Sequence, residues 1–392
     1  MAEIETRRRT LLTLGLGAVS VVVSGCSSGP DTWPEGAAYA PWRLWDDPSV
    51  RGTPLALVAA AILAANPHNT QPWLFRVSDD AIELFADLSR HLGAMDPFVR
   101  ELHLGLGCAI ENAVLAAAAN GFAVTVEPVP GSLVALTRRS CAARVATLRL
   151  ERRDGLAVDP LYGAIPLRHT NRGAYRRDVP VAPQWLAAAR AVDGRGEARV
   201  VLFDGGPERA AFDAAAIDAT RAIIADATMI ADSDVWFRDS ARQIELHRDG
   251  PSLETAGLSP VKLTLARILP VSPQTAHDGW LSQTGMQLET APLAGLIAVR
   301  DRFDRPTTLA AGRAWQRLHL AAAAAGVALQ PINQAIEMID RERQSGRGTA
   351  WVDRMAALTG GDWSATFAFR AGRPGAAAPP AARRALDAVI EV

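Results

Sequence analysis

Apolar positions along the chain fall into two alanine-rich stretches and a set of short runs between them. Residues 97–121 read as largely helical, and the stretch from Gly312 to Gly326 has the same character. Alanine combines high helix propensity with little bulk, so both predict helices that approach their neighbours closely. Each stretch ends at a glycine suited to a left-handed cap, Gly121 or Gly326, and a strand-like run follows, 122–126 or 327–330. Residues 55–65 predict a further helix, and 73–77, 82–86, 199–203 and 296–300 predict strands. Residues 210–229 carry an alanine/isoleucine helical pattern. Residues 238–290, rich in Pro, Gly, His and Ser around one amphipathic turn set at 261–269, read as an insertion. Residues 372–380 form a Gly/Ala/Pro linker before a final helix expected from near Ala381. The plan is α+β.

The two alanine-rich stretches repeat each other. Gly107, Ala109, Leu115, the four alanines that follow, Gly121 and Ala123 recur at one offset as Gly312, Ala314, Leu320, four alanines, Gly326 and Ala328. Alanine-rich helices can look alike by chance, but the matching glycines and following strands favour duplication. A duplicated fold can replace a homodimer, so an internal pseudo-dimer that is monomeric in solution is expected. Its halves would be 51–160 and 161–392, the second holding the insertion.

The N-terminus has its own logic. Arg7-Arg8-Arg9 precedes a moderately apolar run through Val23 that closes on Val23-Ser24-Gly25-Cys26. This reads as a twin-arginine export signal over 1–25, with a lipobox-like cysteine and a tether over 26–50. The expected location is the cell envelope, with the chain held to the membrane only by acyl groups on Cys26. An uncleaved anchor helix is the alternative. In an exported protein Cys108 and Cys141 could form a disulfide.

Composition narrows the chemistry. With 392 residues, 49% hydrophobic and 21% charged, the chain can bury a large core. A net charge of -1 gives no footprint for nucleic acid. Of 41 basic side chains only Lys262 is a lysine, so any required cation is almost always arginine. Gly-x-Ser-x-Gly, His-Glu-x-x-His and Walker patterns are absent. His91, His103, His247, His277 and His319 lack ligand spacing, and no metal is expected.

Two motifs stand out. Asn66-Pro67-His68-Asn69-Thr70-Gln71-Pro72-Trp73 concentrates amides and an imidazole on a loop stiffened by two prolines. Such a loop can hold the edge of a flat heterocycle, or its amides can simply cap the preceding helix. Arg168-His169-Thr170-Asn171-Arg172 sets two guanidiniums four apart around a hydroxyl and an amide, a cluster suited to a phosphate. A solvated basic turn is the bland alternative. Arg383 could add charge to the same anion, whereas Arg384 is expected in solvent. Trp236 and Trp280, flanking the insertion, are weaker candidates for covering a ligand.

Together with Arg100-Glu101-Leu102-His103-Leu104, these motifs resemble the flavin-binding nitroreductase family, and more closely its Acg-like branch, over roughly residues 50–390. The resemblance implies FMN held between two halves, with Arg168, Thr170 and Arg172 at the phosphate and Asn66, Asn69 and Gln71 from across the interface; His68, Asn171 and Arg383 join the expected cofactor-binding residues from the two motifs and the tail. Asn66 stands where that family usually has serine, and the lysine usual near the flavin has no counterpart here. The implied activity is two-electron hydride transfer between a small-molecule donor, NADH or NADPH, and a small-molecule acceptor. The alternative is an FMN-binding or storage protein with a lidded site.

Overall fold

The computed structural model describes residues 34–137, 141–192, 196–269 and 272–391; the expected export signal over 1–25 and Cys26 lie outside the described residues. The first part runs α1 (Pro41–Leu44), α2 (Pro54–Ala61), β1 (Trp73–Val77), β2 (Ala81–Ala86), α3 (Arg100–Ala119), β3 (Phe122–Pro128) and β4 (Ala143–Arg152). Its strands form an antiparallel sheet in the order β1-β2-β4-β3. Then come β5 (Tyr175–Arg176), α4 (Pro183–Val192), β6 (Arg199–Phe203), α5 (Gly206–Ala225), α6 (Ala227–Asp234), α7 (Ala241–His247), α8 (Pro260–Ile268) and α9 (Pro273–Thr290). β7 (Leu293–Val299), α10 (Arg305–Ala324), β8 (Ala328–Pro331), α11 (Gln334–Ser345), α12 (Ala350–Thr359) and β9 (Ser364–Pro374) complete the elements. The second sheet is ordered β5-β9-β7-β6, with β8 also on β9. β7, Leu-Ala-Gly-Leu-Ile-Ala-Val, is buried at every position, as a strand covered on both faces must be. One compact unit spans Glu35–Val392.

The alanine-rich helices α3 and α10 lie against each other. A Cβ on Gly107 would fall 2.2 Å from the Leu309 carbonyl oxygen, and one on Gly312 would fall 2.1 Å from that of Leu104. Only glycine permits this approach. A polar cross-link ties the pair together, Gln316 Nε2 donating to Asn112 Oδ1 at 2.8 Å, and Asn112 Nδ2 in turn ties α3 to α2 by donating to the Ala60 carbonyl at 2.9 Å. Both helices stop at glycines with positive φ, Gly121 at 75° and Gly326 at 67°. α3 is long and apolar enough to cross a membrane, yet its faces are buried in protein.

Several expectations need correction. The helix expected over 210–229 is two, because the Asp226 carboxylate accepts from Thr228 and Met229 N–H and starts α6 afresh. The insertion is not peripheral as a whole: Arg238, Ile244, Asp249 and Ser252 are buried, and α9 packs on α5 and buries Thr284, Gln287 and Leu288, while only α8 between them buries no residue. β9 extends into the expected linker as far as Pro374, and the final helix from Ala381 does not form. Its backbone donors are spent on tertiary partners instead: Arg383 N–H on Ala38, Arg384 N–H on Gln71 Oε1, Glu391 N–H on Phe75. Cys108 is buried against the Gly312 carbonyl and Cys141 is exposed; both are free thiols.

A buried charge network joins the start of α3 to α11 and β9. Asp340 accepts from Arg100 Nε at 2.7 Å and pairs with Arg302 at 2.9 Å. Arg100 also donates to the Thr366 carbonyl, and Glu101 accepts from Asn333 Nδ2 at 2.9 Å. Asp96 caps α3 through the N–H groups of Glu101 and Leu102. With Glu337 also buried, four carboxyls face two guanidiniums, so the cluster favours retained protons. Burial, opposed by Arg100 and reinforced by Asp96 and Asp340, pushes Glu101 up to about 7 from an ordinary 4.5. The folded chain therefore holds a proton that the unfolded chain releases, and this contribution to stability falls as pH rises from about 4.5 to 7. Glu101→Gln cannot lose that proton. Its stability relative to wild type is expected to improve by up to about 3 kcal/mol between pH 5 and pH 8. Denaturant melts at the two pH values measure it; a pH-independent difference counts against the assignment.

Candidate functional site

The loop after α2 is held in an unusual shape. His68, Asn69 and Gln71 all have positive φ, at 45°, 52° and 53°. Asparagine tolerates this region, but His68 and Gln71 adopt it at a cost. The conformation is fixed between two prolines and by Asn66 Oδ1, which accepts from Gln71 N–H at 2.8 Å. Gly105 of α3 gives the loop room: a Cβ there would meet Pro67 at 3.0 Å and Asn66 at 3.1 Å.

Across from it runs the 168–172 segment, anchored by the buried Arg370 of β9. That guanidinium donates to the carbonyls of Asn171, Gly173 and Gln287 and stacks 3.7 Å from the Tyr175 ring centroid. The C-terminal tail brings in Arg383, which donates to Asn69 Oδ1 and to the carbonyls of Leu63 and Ala64. Arg168 Nη2 reaches the same Leu63 carbonyl at 3.2 Å.

One pocket results. Asn66, His68, Asn69, Arg168, Thr170, Arg172 and Arg383 line it, together with Trp42, His169 and Thr255. Two site residues expected from sequence do not. The Gln71 amide donates to the Arg248 carbonyl at 2.8 Å, and the Asn171 amide to Ala376 at 2.7 Å. Both brace the walls. Trp236 is also elsewhere, packed near Leu92 and Met95 with Arg90 and Arg238 on its ring, and Trp280 joins the same cluster. Arg384 leaves solvent to donate to the Gln71 and Trp73 carbonyls.

The electrostatics of the pocket are one-sided. Arg168 is 3% exposed and Arg383 2%, and the Nε of each is buried without a partner. Arg172 donates to the Thr255 carbonyl at 3.1 Å. Among the described residues no carboxylate pairs with any of the three. Burial lowers Arg168 to about 10, and burial with the field of Arg168 lowers Arg383 well below its ordinary value. The imidazoles respond in the same way. Burial and Arg172 push His68 down to about 4; burial, Arg168 and Arg383 push His169 down to about 3. Buried cations without counter-charge are costly, and an anion bound there would relieve them.

The pocket is small as it stands. Its free space is about 60 Å³, against ~300–1,000 Å³ for sites that enclose drug-sized molecules. Trp42, the 250–255 turn and the 379–383 tail cover it. Asn69 Nδ2 donates to the carbonyls of Gly250 and Ala382 at 3.3 and 2.9 Å, so the covering segments engage the loop directly.

Sequence reading missed Trp42, Arg370 and the 250–255 turn. Arg370 left a signal, a lone charge within the apolar run of β9; Trp42 left none.

No family model matches the chain. It is similar to Rv3131 of Mycobacterium tuberculosis H37Rv, 28% identical over 351 residues covering 86% of this chain and 90% of that protein. That relative's name, NAD(P)H nitroreductase, is itself provisional. A second similarity, to the protein acg of the same organism, which bears the same provisional name, is 38% identical over 73 residues, covering 19% of this chain and 22% of acg. Among solved structures, a nitroreductase with bound FMN from Desulfitobacterium hafniense aligns with 60% of this chain and 100% of its own at 14% identity, with a TM-score of 0.35.

Proposed function

We propose that this chain is an FMN-dependent oxidoreductase of nitroreductase type. The observation that carries the reading is two buried guanidiniums, Arg168 and Arg383, and the half-buried Arg172, without carboxylate partners among the described residues, meeting the amide-rich 66–71 loop in one pocket. Similarity to a relative named as an NAD(P)H nitroreductase over 86% of the chain supports the same class. The residues present fit the phosphate of FMN. Arg168, Arg172 and Arg383 would hold it by charge-assisted bonds, with the Thr170 hydroxyl beside them. Asn66, His68 and Asn69, which line the same pocket, would contact the ring end, and Gln71 and Asn171 hold the walls in place. When bound, FMN would accept a hydride from NADH or NADPH and return two electrons to a small-molecule acceptor. The protein contributes orientation, neutral imidazoles above about pH 5 and exclusion of water.

An internal pseudo-dimer is part of this reading. Gly107 faces the Leu309 carbonyl as Gly312 faces that of Leu104, and the two pairs are related by the repeat offset. Reciprocal contacts of this kind are the mark of two-fold symmetry and support two nitroreductase-like halves in one monomeric chain. Export by the twin-arginine route and lipid anchoring at Cys26 complete the proposal, on the strength of the N-terminal sequence.

A second reading, FMN storage with little turnover, is favoured by the covered pocket: the tail and the 250–255 turn would have to withdraw to admit a flavin ring or a second substrate. The absorption spectrum of purified protein decides. Bound FMN is expected to give a yellow protein that NADH or NADPH bleaches anaerobically. Bleaching by dithionite alone selects storage. A protein that stays colourless after FMN addition rejects both.

A further inference from the structure

α8 plays no part in the pocket and buries none of its side chains. Val261, Leu265, Ile268 and the adjoining Leu269 are 70%, 47%, 69% and 58% exposed. Their spacing of four, three and one residues sets them in one stripe on the solvent side, while Leu263 and Ala266 are half-buried. Leu246 of α7 is 72% exposed as well. Lys262 supplies an exposed cation on α8 itself, and Arg267 pairs with Glu254 at 3.0 Å.

The N-terminal end of the described fold lies against α7, the helix that precedes α8 in the chain. Ala37 and Ala38 N–H donate to Glu245 of α7 at 2.6 and 3.2 Å, and a Cβ on Gly36 would lie 3.0 Å from the same carboxylate. Tyr39 lies in the field of both Glu245 and Glu254, the partner of Arg267 in α8. Gly36 stands ten positions after Cys26, a span of at most ~36 Å for any chain conformation. An acyl group on Cys26 would therefore keep this face of the protein close to the bilayer.

We propose that α8 is a membrane-surface helix. Its Val261/Leu265/Ile268/Leu269 stripe enters the headgroup boundary of an anionic bilayer, and Lys262 meets lipid phosphate. This is the geometry of an interfacial amphipathic helix, in which apolar burial and headgroup attraction act together. The proposal stands whether or not the pocket takes flavin.

The test uses the Glu35–Val392 chain, which contains the whole described fold, and vesicles of phosphatidylglycerol and phosphatidylethanolamine. Wild type is expected to sediment with the vesicles. A Val261→Asp, Leu265→Asp, Ile268→Asp triple variant should partition on the order of tenfold or more weakly, with an unchanged melting temperature because all three positions are exposed. Wild type left in the supernatant, or a triple variant that sediments equally, overturns the proposal. So does light scattering that shows a dimer dissolved by the triple variant, which would give the stripe to a second copy of the chain.

Discussion

Replacing Arg168 by methionine is expected to raise the melting temperature of the flavin-free protein and to abolish the further rise that FMN produces. Opposite signs on stability and binding distinguish a ligand-binding guanidinium from a structural one. In the flavin-free fold Arg168 is buried, its Nε has no partner, and it lies in the field of Arg383. Methionine retains most of the volume and removes a desolvated like charge, a change of about 1–3 kcal/mol in favour of the fold. The Leu63 carbonyl is not orphaned, since Arg383 Nη2 still donates to it at 3.3 Å. With phosphate present the balance reverses: loss of one charge-assisted contact is expected to weaken FMN at least ~100-fold. Thermal melts with and without FMN read both effects. A variant that melts lower in the flavin-free state would show that Arg168 is structural, and an undiminished FMN shift would remove it from the phosphate site.

Asp340→Asn is expected to cost about 3–5 kcal/mol of folding stability. Asp340 is fully buried and receives both Arg100 and Arg302. Removing its charge leaves two desolvated guanidiniums with the partly protonated Glu101 and backbone carbonyls as their remaining partners. Because Arg100 starts α3 and Asp340 lies on α11, the loss falls on the junction between early and late parts of the chain. Denaturant unfolding measures it; a loss below about 1 kcal/mol would show that the network behaves like a solvated surface cluster.

Local rules made much of this molecule readable in advance. The strand over 73–77, the helix within 97–121 and the strand over 199–203 follow from apolar period and breakers. Glycines at 121 and 326 take the left-handed cap that their positions imply. Legibility failed where backbone groups found distant partners. Residues after Ala381 have helix-forming composition, but the N–H groups of Arg383, Arg384 and Glu391 bond to Ala38, Gln71 and Phe75, so no α-helix forms and only a single 3-10 turn remains at Asp387–Val389. Gln71 carries the amide expected of a ligand contact, yet the 248 carbonyl and the Arg384 N–H claim it. Arg384 looked like a solvent residue beside Arg383; the tail turns both inward.

Periodicity, glycine placement and the two polar motifs are properties of neighbours along the chain, and the sequence alone determined them: which segments coil or extend, where α3 and α10 stay slim enough to touch, and which residues carry the chemistry. Only the tertiary structure decided that Arg383 and Trp42, contributed by opposite ends of the described chain, close over Arg168 and Arg172, leaving about 60 Å³ of free space. The reason is physical. Helix and strand preferences are settled within a few residues, whereas a shared pocket depends on the desolvation of charges that meet only after the chain has packed.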